Sequence, residues 1–191
     1  CGEAKRLMLP WTGGDGPKPS DDFRPFRTAV TQCAAHVLAC LQSLHACADI
    51  CAHVVYFGLG SNLDPKPIPE QRVGLKTVRD RLPETPVSEA LRGLADDPDF
   101  NYLDAVVNRS KHRTVINTSY TFLEPPNADS EPWHGVVLWS FDHLGSSYPI
   151  RPAAEFMSAE LDRQRSALHR ICVALEEHLR ERFGRRDASL N

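Results

Sequence analysis

The sequence lacks the features that would place it in a specialised class of protein. It has no run of about 18 or more apolar residues and no basic start followed by an apolar stretch, so we expect neither a membrane span nor a signal peptide. Its 22 basic and 25 acidic residues give a net charge of −3, without the broad positive field of a strong duplex-DNA binder. The chain is predicted to be cytoplasmic; the alternative is a lipoprotein anchored through Cys1, which Gly2 follows.

Catalytic signatures are also missing. The sequence contains no Gly-x-Ser-x-Gly elbow, no Gly-x-Gly-x-x-Gly turn, no His-Glu-x-x-His helix and no glycine-rich loop that would cradle a phosphate. The 191 residues are 41% hydrophobic and 25% charged, an ordinary globular composition that can bury one sizeable core. We predict a flexible, Gly- and Pro-rich leader over residues 1–22, a single domain over 23–183 and a polar tail over 184–191, with no cofactor.

The first long segment of the domain has the periodicity of a helix. Over residues 23–57 apolar side chains return at steps of three and four, which predicts a helix of about 35 residues, roughly 52 Å long, in a helical bundle. The predicted buried seam consists of Phe23, Phe26, Val30, Cys33, Val37, Cys40, Leu44, Cys47, Cys51 and Val54.

The cysteines of this helix have two interpretations. At seam positions they would serve as small apolar residues. As ligands for Cu(I) or Zn(II), they would resemble the cysteine-lined helices of bacterial copper-storage bundles, with the set Cys33, His36, Cys40, Cys47 and Cys51. Such bundles need thiols on facing helices as well, and the remaining cysteines are Cys172 and Cys1. We therefore favour the seam and no metal.

Three shorter helices are predicted over residues 70–82, 88–94 and 99–113. The last of them places a polar stripe beside its apolar face, formed by Asn101, Asp104, Asn108, Lys111 and His112. An amide, an imidazole and an ammonium at this spacing could bind a phosphate of RNA or of a nucleotide, or transfer protons near neutral pH. His112 is thus a candidate catalytic residue, and the others, with Arg113, are candidate binding residues. The alternative is a solvated face or a polar network that ties this helix to the next segment.

Alternating β-branched, aromatic and polar residues follow. Residues 114–123 and 134–144 are predicted to form an antiparallel β-hairpin inserted before the last helix. Its aromatic residues either pack on the bundle or form a surface for a protein partner; they are Tyr120, Phe122, Trp139 and Phe141.

A closing helix is predicted over residues 153–183. Arg165 and His169 lie four residues apart on one face of it. An arginine could hold a phosphate while a histidine moves the proton of an RNA 2′-hydroxyl, so both are candidate catalytic residues together with His112. The alternative is that both side chains simply contact water.

These segments together resemble a divergent HEPN-like group of helical bundles among uncharacterised bacterial proteins. The resemblance covers about residues 23–183 and is most evident in the stretch Phe-Asn-Tyr-Leu-Asp-Ala-Val-Val-Asn-Arg-Ser-Lys-His-Arg over 100–113. It implies a mainly α, antiparallel helical bundle with a long first helix and an inserted β-hairpin, acting in bacterial defence or stress response. Active HEPN ribonucleases carry an Arg, then four to six residues, then a His, and usually assemble the site across a dimer. Arg163 and His169 have that spacing, with Gln164 after the arginine.

Three functions follow from these expectations. The favoured one is a binding or dimerisation module, which acts as a homodimer or through a protein partner at the hairpin, because the net charge is mildly acidic and no phosphate-binding loop occurs. The second is a metal-independent ribonuclease that binds RNA. The third is soft-metal binding through the cysteines of the first helix.

Overall fold

The computed structural model describes residues 24–112, 116–123 and 133–187. This part of the chain is mainly helical, with a long first helix and short strands before the last helix, as predicted. The helices are α1 (Arg24–Gly58), α2 (Leu75–Arg81), α3 (Pro86–Ala95), α4 (Pro98–His112) and α5 (Ala153–Asp187). The strands are β1 (Thr118–Leu123), β2 (Trp133–Leu138), β3 (Phe141–His143), β4 (Ser146–Tyr148) and β5 (Arg151–Pro152). The predicted leader, Arg113 and residues 188–191 of the tail lie outside the described residues.

The chain divides into two compact units. The first unit consists of residues 1–42 and 105–158, and the second of residues 43–104 and 159–191. The first unit contains all five described strands, and the second contains α2 and α3. Three helices, α1, α4 and α5, contribute residues to both.

Helix α1 confirms the predicted length but not all of the predicted seam. Its buried positions are Ala29, Cys33, Val37, Leu41, Leu44, Ala48, Cys51, Ala52 and Val55, together with His45 and Tyr56. Cys40, Cys47 and Val54 are exposed instead. An α-helix has 3.6 residues per turn, so a regular 3.5-residue repeat drifts away from the buried face. The seam prediction is wrong at these three positions for that reason.

Among the described helices, α1 alone is long and apolar enough to cross a bilayer. Core helices of soluble proteins share this length and composition, and 33% of its most apolar window is buried within the chain. Length and composition therefore do not by themselves indicate a membrane.

The helix predicted over residues 70–82 is interrupted at Gly74. A 3-10 turn covers Glu70–Arg72, and α2 begins only at Leu75. The Leu75 N–H donates to Asp49 Oδ1 at 3.1 Å, and a Cβ at Gly74 would lie 3.2 Å from the same oxygen. A side chain of α1 therefore fixes the point at which α2 begins.

Helix α3 begins at Pro86, two residues before the predicted start. The Thr85 hydroxyl accepts a hydrogen bond from the Ser88 N–H at 3.2 Å, and the Ser88 hydroxyl accepts one from the Thr85 N–H at 3.0 Å. This reciprocal capping box makes Thr85 the N-cap, and the proline that follows it occupies the first turn, so the helix begins before Ser88.

The strands form two hairpins instead of the single hairpin predicted. β1 and β2 pair antiparallel, with Thr118 opposite Leu138 and Leu123 opposite Trp133, and β5 pairs with the end of β2. β3 and β4 pair with each other in a separate two-stranded sheet. The predicted strand over 134–144 is split because a two-residue turn at Leu144 and Gly145 folds the chain back on β3.

The hairpin aromatics are divided between core and surface. Tyr120 is half-buried and meets Phe26 of α1 edge-on, with ring centroids 5.7 Å apart, and Phe141 is buried. Trp139 is exposed, whereas the Phe122 side chain lies outside the described part of the chain. The predicted packing is therefore found for Phe141 and in part for Tyr120, and the role of the segment as a partner surface stays a prediction.

Gly135 of β2 is required by the indole ring of Trp133. A Cβ at Gly135 would lie 2.6 Å from this ring, whose N–H donates to Glu155 Oε1 at 2.6 Å. We expect Gly135→Ala to lower the free energy of unfolding by roughly 1–3 kcal/mol in urea denaturation, because the ring must move. Gly93→Ala is the matched control, since nothing lies within 4 Å of a Cβ there, and it should stabilise α3 by about 0.5–1 kcal/mol. Equal effects of the two variants would contradict this account.

Candidate functional site

A buried histidine on α1 forms the centre of a polar cluster in the second unit. His45 Nε2 lies 2.9 Å from Asp104 Oδ1, and His45 Nδ1 lies 3.4 Å from Asp49 Oδ2. The Lys76 ammonium donates to the other oxygen of Asp104 at 2.7 Å. We call these four residues the His45 cluster. Both oxygens of Asp104 are thus engaged by cationic or potentially cationic groups.

Three helices supply the four side chains. His45 and Asp49 are four residues apart and therefore adjacent on α1, Lys76 lies in the first turn of α2, and Asp104 lies within α4. Asp49 is held in place by the Leu75 N–H. The cluster therefore joins α1, α2 and α4 through side chains that must be mutually oriented.

The environment of Asp104 keeps it ionised. Burial alone would raise its pKa, but the hydrogen bonds and charges of His45 and Lys76 outweigh burial and lower the pKa to about 2. A carboxylate with so low a pKa is a weak proton acceptor near neutral pH and holds no proton to donate. Asp104 is suited to orient its neighbours rather than to transfer a proton.

A second polar cluster surrounds Glu160 of α5, which is fully buried. Its two oxygens accept hydrogen bonds from Arg163 Nε at 2.8 Å, from Arg163 Nη2, and from Gln164 Nε2 at 2.7 Å. Arg163 Nε also lies 3.3 Å from Asp97 Oδ1, which caps the first turn of α4. We call these residues the Glu160 cluster. A buried carboxylate of this kind is tolerated only because it is paired and hydrogen-bonded.

The Phe100 ring contacts both clusters. It stacks on the His45 ring at a centroid distance of 5.9 Å and an interplanar angle of 15°, and the Arg163 guanidinium lies 6.0 Å from its centroid. A single apolar ring thus separates the His45 imidazole from the Arg163 guanidinium and contributes a cation–π contact to the guanidinium. The result is a continuous polar and aromatic layer inside the second unit.

The candidate catalytic residues of α5 stand apart from this layer. Arg165 and His169 are both exposed, and Arg165 Nη2 lies 3.4 Å from the equally exposed Asp162. Arg163, which has the HEPN-like spacing to His169, is instead committed to Glu160 and Asp97. The side chains that the sequence brings together by spacing are therefore divided between core and solvent.

The polar stripe predicted on α4 is also divided. Asp104 turns into the His45 cluster, Asn101 and Asn108 are half-buried, and Lys111 is exposed. His112 ends α4, but its side chain lies outside the described residues, as does all of Arg113. The predicted phosphate-binding role of the stripe remains untested.

The sequence did not indicate that His45, Asp49 and Lys76 form one cluster with Asp104. The four-residue spacing of His45 and Asp49 was a signal for a pair on one helix face. No local pattern linked them to Asp104, which is 59 residues further along the chain.

The cysteines offer weak support for a metal site. Among the described residues, no group of three or more His, Cys, Asp or Glu side chains is arranged to hold a metal ion. Cys33 is disulfide-bonded, while Cys40, Cys47 and His36 are exposed. Burial and the neighbouring Cys172 raise the pKa of Cys51 to about 11, so it is a neutral thiol at neutral pH, whereas metal ligation requires the thiolate. The soft-metal hypothesis remains a prediction that lacks a preformed site.

Removing the charge of Asp104 tests the role of the His45 cluster. Because its pKa is lowered in the folded state, its stabilising effect is complete above the unfolded pKa of about 3.9 and disappears as the pH falls towards 2. We expect Asp104→Asn to cost about 2 kcal/mol at pH 7 and the gap to wild type to close between pH 4 and roughly pH 2. Urea unfolding at several pH values measures this. Asp162→Asn, at an exposed surface pair, should have little effect at any pH.

Comparisons with known proteins leave the family open. No family model matches the sequence, no curated protein matches it significantly, and no solved structure matches its fold significantly. The resemblance to HEPN-like bundles accordingly remains a prediction from the sequence.

Proposed function

We propose that this chain is a non-catalytic, HEPN-like interaction module of bacterial defence or stress response, and that it binds a protein partner through the β3–β4 hairpin. The observation that carries the proposal is the residue at the hairpin tip. Leu144 has a φ of 50° and is followed by Gly145 with a φ of 84°. Two positive φ values are typical of a type I′ turn, in which Asn and Gly are strongly preferred.

A leucine at this position is unfavourable for folding. The left-handed conformation costs an L-residue with a branched side chain roughly 1–2 kcal/mol. Burial does not compensate for that cost, because Leu144 is 79% exposed. A partner with an apolar pocket would recover about 1.5–3 kcal/mol by burying the side chain. Because Leu144 is strained and exposed and does not contribute to the core, its retention favours a role in binding.

The base of the hairpin is held firmly, as a binding element requires. The Phe141 and Tyr148 rings stack with centroids 4.9 Å apart. The Arg109 guanidinium lies over Phe141 and donates to the carbonyl of Asp142. A rigid base reduces the entropy lost when the tip is immobilised by a partner.

Two further exposed apolar side chains lie in the segments that flank the hairpin. Trp139 precedes β3 by two residues, and Ile150 follows β4 by two residues. The indole N–H of Trp139 donates to Ser119 Oγ at 2.8 Å, so its polar atom is satisfied within the chain while 40% of the residue is exposed. Exposed aromatic anchors of this kind commonly dominate protein interfaces.

The polar clusters favour a module over an enzyme. Asp104, Glu160 and Arg163 are committed to ion pairs inside the second unit, and Arg165 and His169 are open to solvent. A general acid or base must lie within hydrogen-bond reach of the proton that it transfers. Asp104, Glu160 and Arg163 are held by partners of their own chain, and Arg165 lies against Asp162.

The stability of the hairpin tip provides a test that needs no known partner. We expect Leu144→Asn to raise the free energy of unfolding by about 1 kcal/mol, because asparagine tolerates the left-handed conformation and creates an Asn-Gly turn. Leu63→Asn is the matched control, since Leu63 is 82% exposed without a positive φ, and it should change stability by less than about 0.5 kcal/mol. Destabilisation by Leu144→Asn would mean that the leucine serves the fold, and the proposal would fail.

Incubation with RNA distinguishes the module from the ribonuclease. We expect the purified chain to leave labelled single-stranded and structured RNA intact in EDTA. If cleavage does occur, a His112→Ala, His169→Ala double variant with an unchanged melting temperature shows whether these histidines perform it. Cleavage by wild type that the double variant loses would replace the module with a metal-independent ribonuclease.

A further inference from the structure

One face of α1 in the second unit is exposed and carries no formal charge. It is formed by Ser43, Ala46, Cys47, Ile50, Val54 and Phe57, and we call it the α1 face. At 100° per residue these positions fall within a stripe about 100° wide and roughly 21 Å long. The opposite side of the same helix is buried and contains Leu44, Ala48, Ala52 and Val55. Surface helices of soluble proteins usually carry charged residues on the side that faces water, and this one does not.

The absence of charge extends well beyond the face itself. No Lys, Arg, Asp or Glu occurs over residues 28–48, and Asp49 is the only one of these between 28 and 63. Asp49 lies beside the face, where it is engaged by Leu75 and His45 of its own chain. A second α1 could therefore approach without bringing like charges together.

We infer that the α1 face pairs with the α1 face of a second copy of this chain, antiparallel about a two-fold axis near Ile50. This inference rests on the proposed interaction function and names a partner for it at a different surface. The face is small at one end, with Ser43, Ala46 and Cys47, and bulky at the other, with Val54 and Phe57. An antiparallel pair places the bulky end of each helix over the small end of its mate, which is the self-complementarity that a two-fold interface requires.

The available area suits a dimer. The large exposed side chains of the face are Ile50, Val54 and Phe57, and the turn that bears the exposed Leu63 follows Phe57 at the end of α1. Arg182 of α5 donates to the Leu59 carbonyl at 3.1 Å, which brings the exposed Phe183 to the same end of α1. Together they present on the order of 500 Å² of apolar surface, towards the upper end for a monomer. A stable interface needs about 800 Å² per partner, which the small and polar residues around the patch can complete.

A lipid surface is a poorer fit for the same face. Helices that lie in a bilayer interface carry Lys and Arg on their polar side, and residues 28–65 contain neither. A span across the bilayer would require the opposite side of α1 to face lipid, yet that side is packed in the core and holds His45 against Asp104. Moving such a charged cluster into hydrocarbon is costly.

Sedimentation equilibrium of the full chain tests the pairing. We expect wild type to form dimers whose fraction rises over about 1–100 µM, and Val54→Glu to raise the dimer dissociation constant at least tenfold, because it places a charge in the interface. Ile50→Glu repeats the test at the proposed axis, and circular dichroism checks that each variant is folded. Leu161→Glu adds the same charge to α5 at a residue that is 56% exposed, close to the 54% of Val54, and should dimerise like wild type.

A further variant distinguishes a specific interface from non-specific apolar association. Ala46→Trp increases apolar surface but removes the small residue that faces Val54 of the other copy, so it should weaken the dimer. Tighter association by Ala46→Trp, or equal weakening by Leu161→Glu and Val54→Glu, would overturn the antiparallel arrangement. A monomer at every concentration would also overturn it, as would wild-type flotation with phosphatidylcholine–phosphatidylglycerol vesicles that Val54→Glu abolishes. None of these results bears on the stability of the Leu144 turn, so the two proposals fail independently.

Discussion

The helices of the second unit depend on one carboxylate. Asp104 accepts hydrogen bonds on both oxygens, one from a histidine of α1 and one from a lysine of α2. Apolar packing by itself tolerates changes of side-chain shape and so specifies the register of helices less strictly than paired charges do. Paired charges impose geometry, because an unpaired buried carboxylate is costly. The same principle acts at Glu160, where Arg163 links α5 to the capping residue of α4.

The sequence predicted the long helices of the fold better than the residues at which the shorter helices and strands begin and end. The periodicity of α1, α4 and α5 was sufficient to place them, because long amphipathic helices carry many repeats of one signal. The break at Gly74 was not predictable, since it depends on Asp49, 25 residues earlier in the chain. The earlier start of α3 was encoded locally, in Thr85 and Ser88, and was overlooked. The β3–β4 hairpin was not predicted because Leu144 occupies a turn position at which Asn or Gly is usually found.

The candidate site was predicted less well, for a related reason. Spacing along one helix groups Arg165 with His169 and Asp104 with Lys111, but it does not report which members turn towards another helix. Asp104 pairs with His45, which lies 59 residues earlier in the sequence, and Arg163 pairs with Asp97, which lies 66 residues earlier. Pairings of that range depend on tertiary packing, which a single sequence does not display. The described part of the chain consequently buries the carboxylate of Glu160 and most of that of Asp104, while it presents apolar side chains at Leu144 and along α1.

The order of synthesis gives α1 a further property. The groups that contact α1 in the second unit all emerge later, among them Leu75 at Asp49, Asp104 at His45 and Leu175 near Gly58. At about 5–20 residues per second, several seconds pass between completion of α1 and the arrival of α4, and more before α5. During that interval α1 is apolar on one side and uncharged on the other. A nascent segment of this kind exposes apolar surface that is prone to aggregation until its later partners are synthesised.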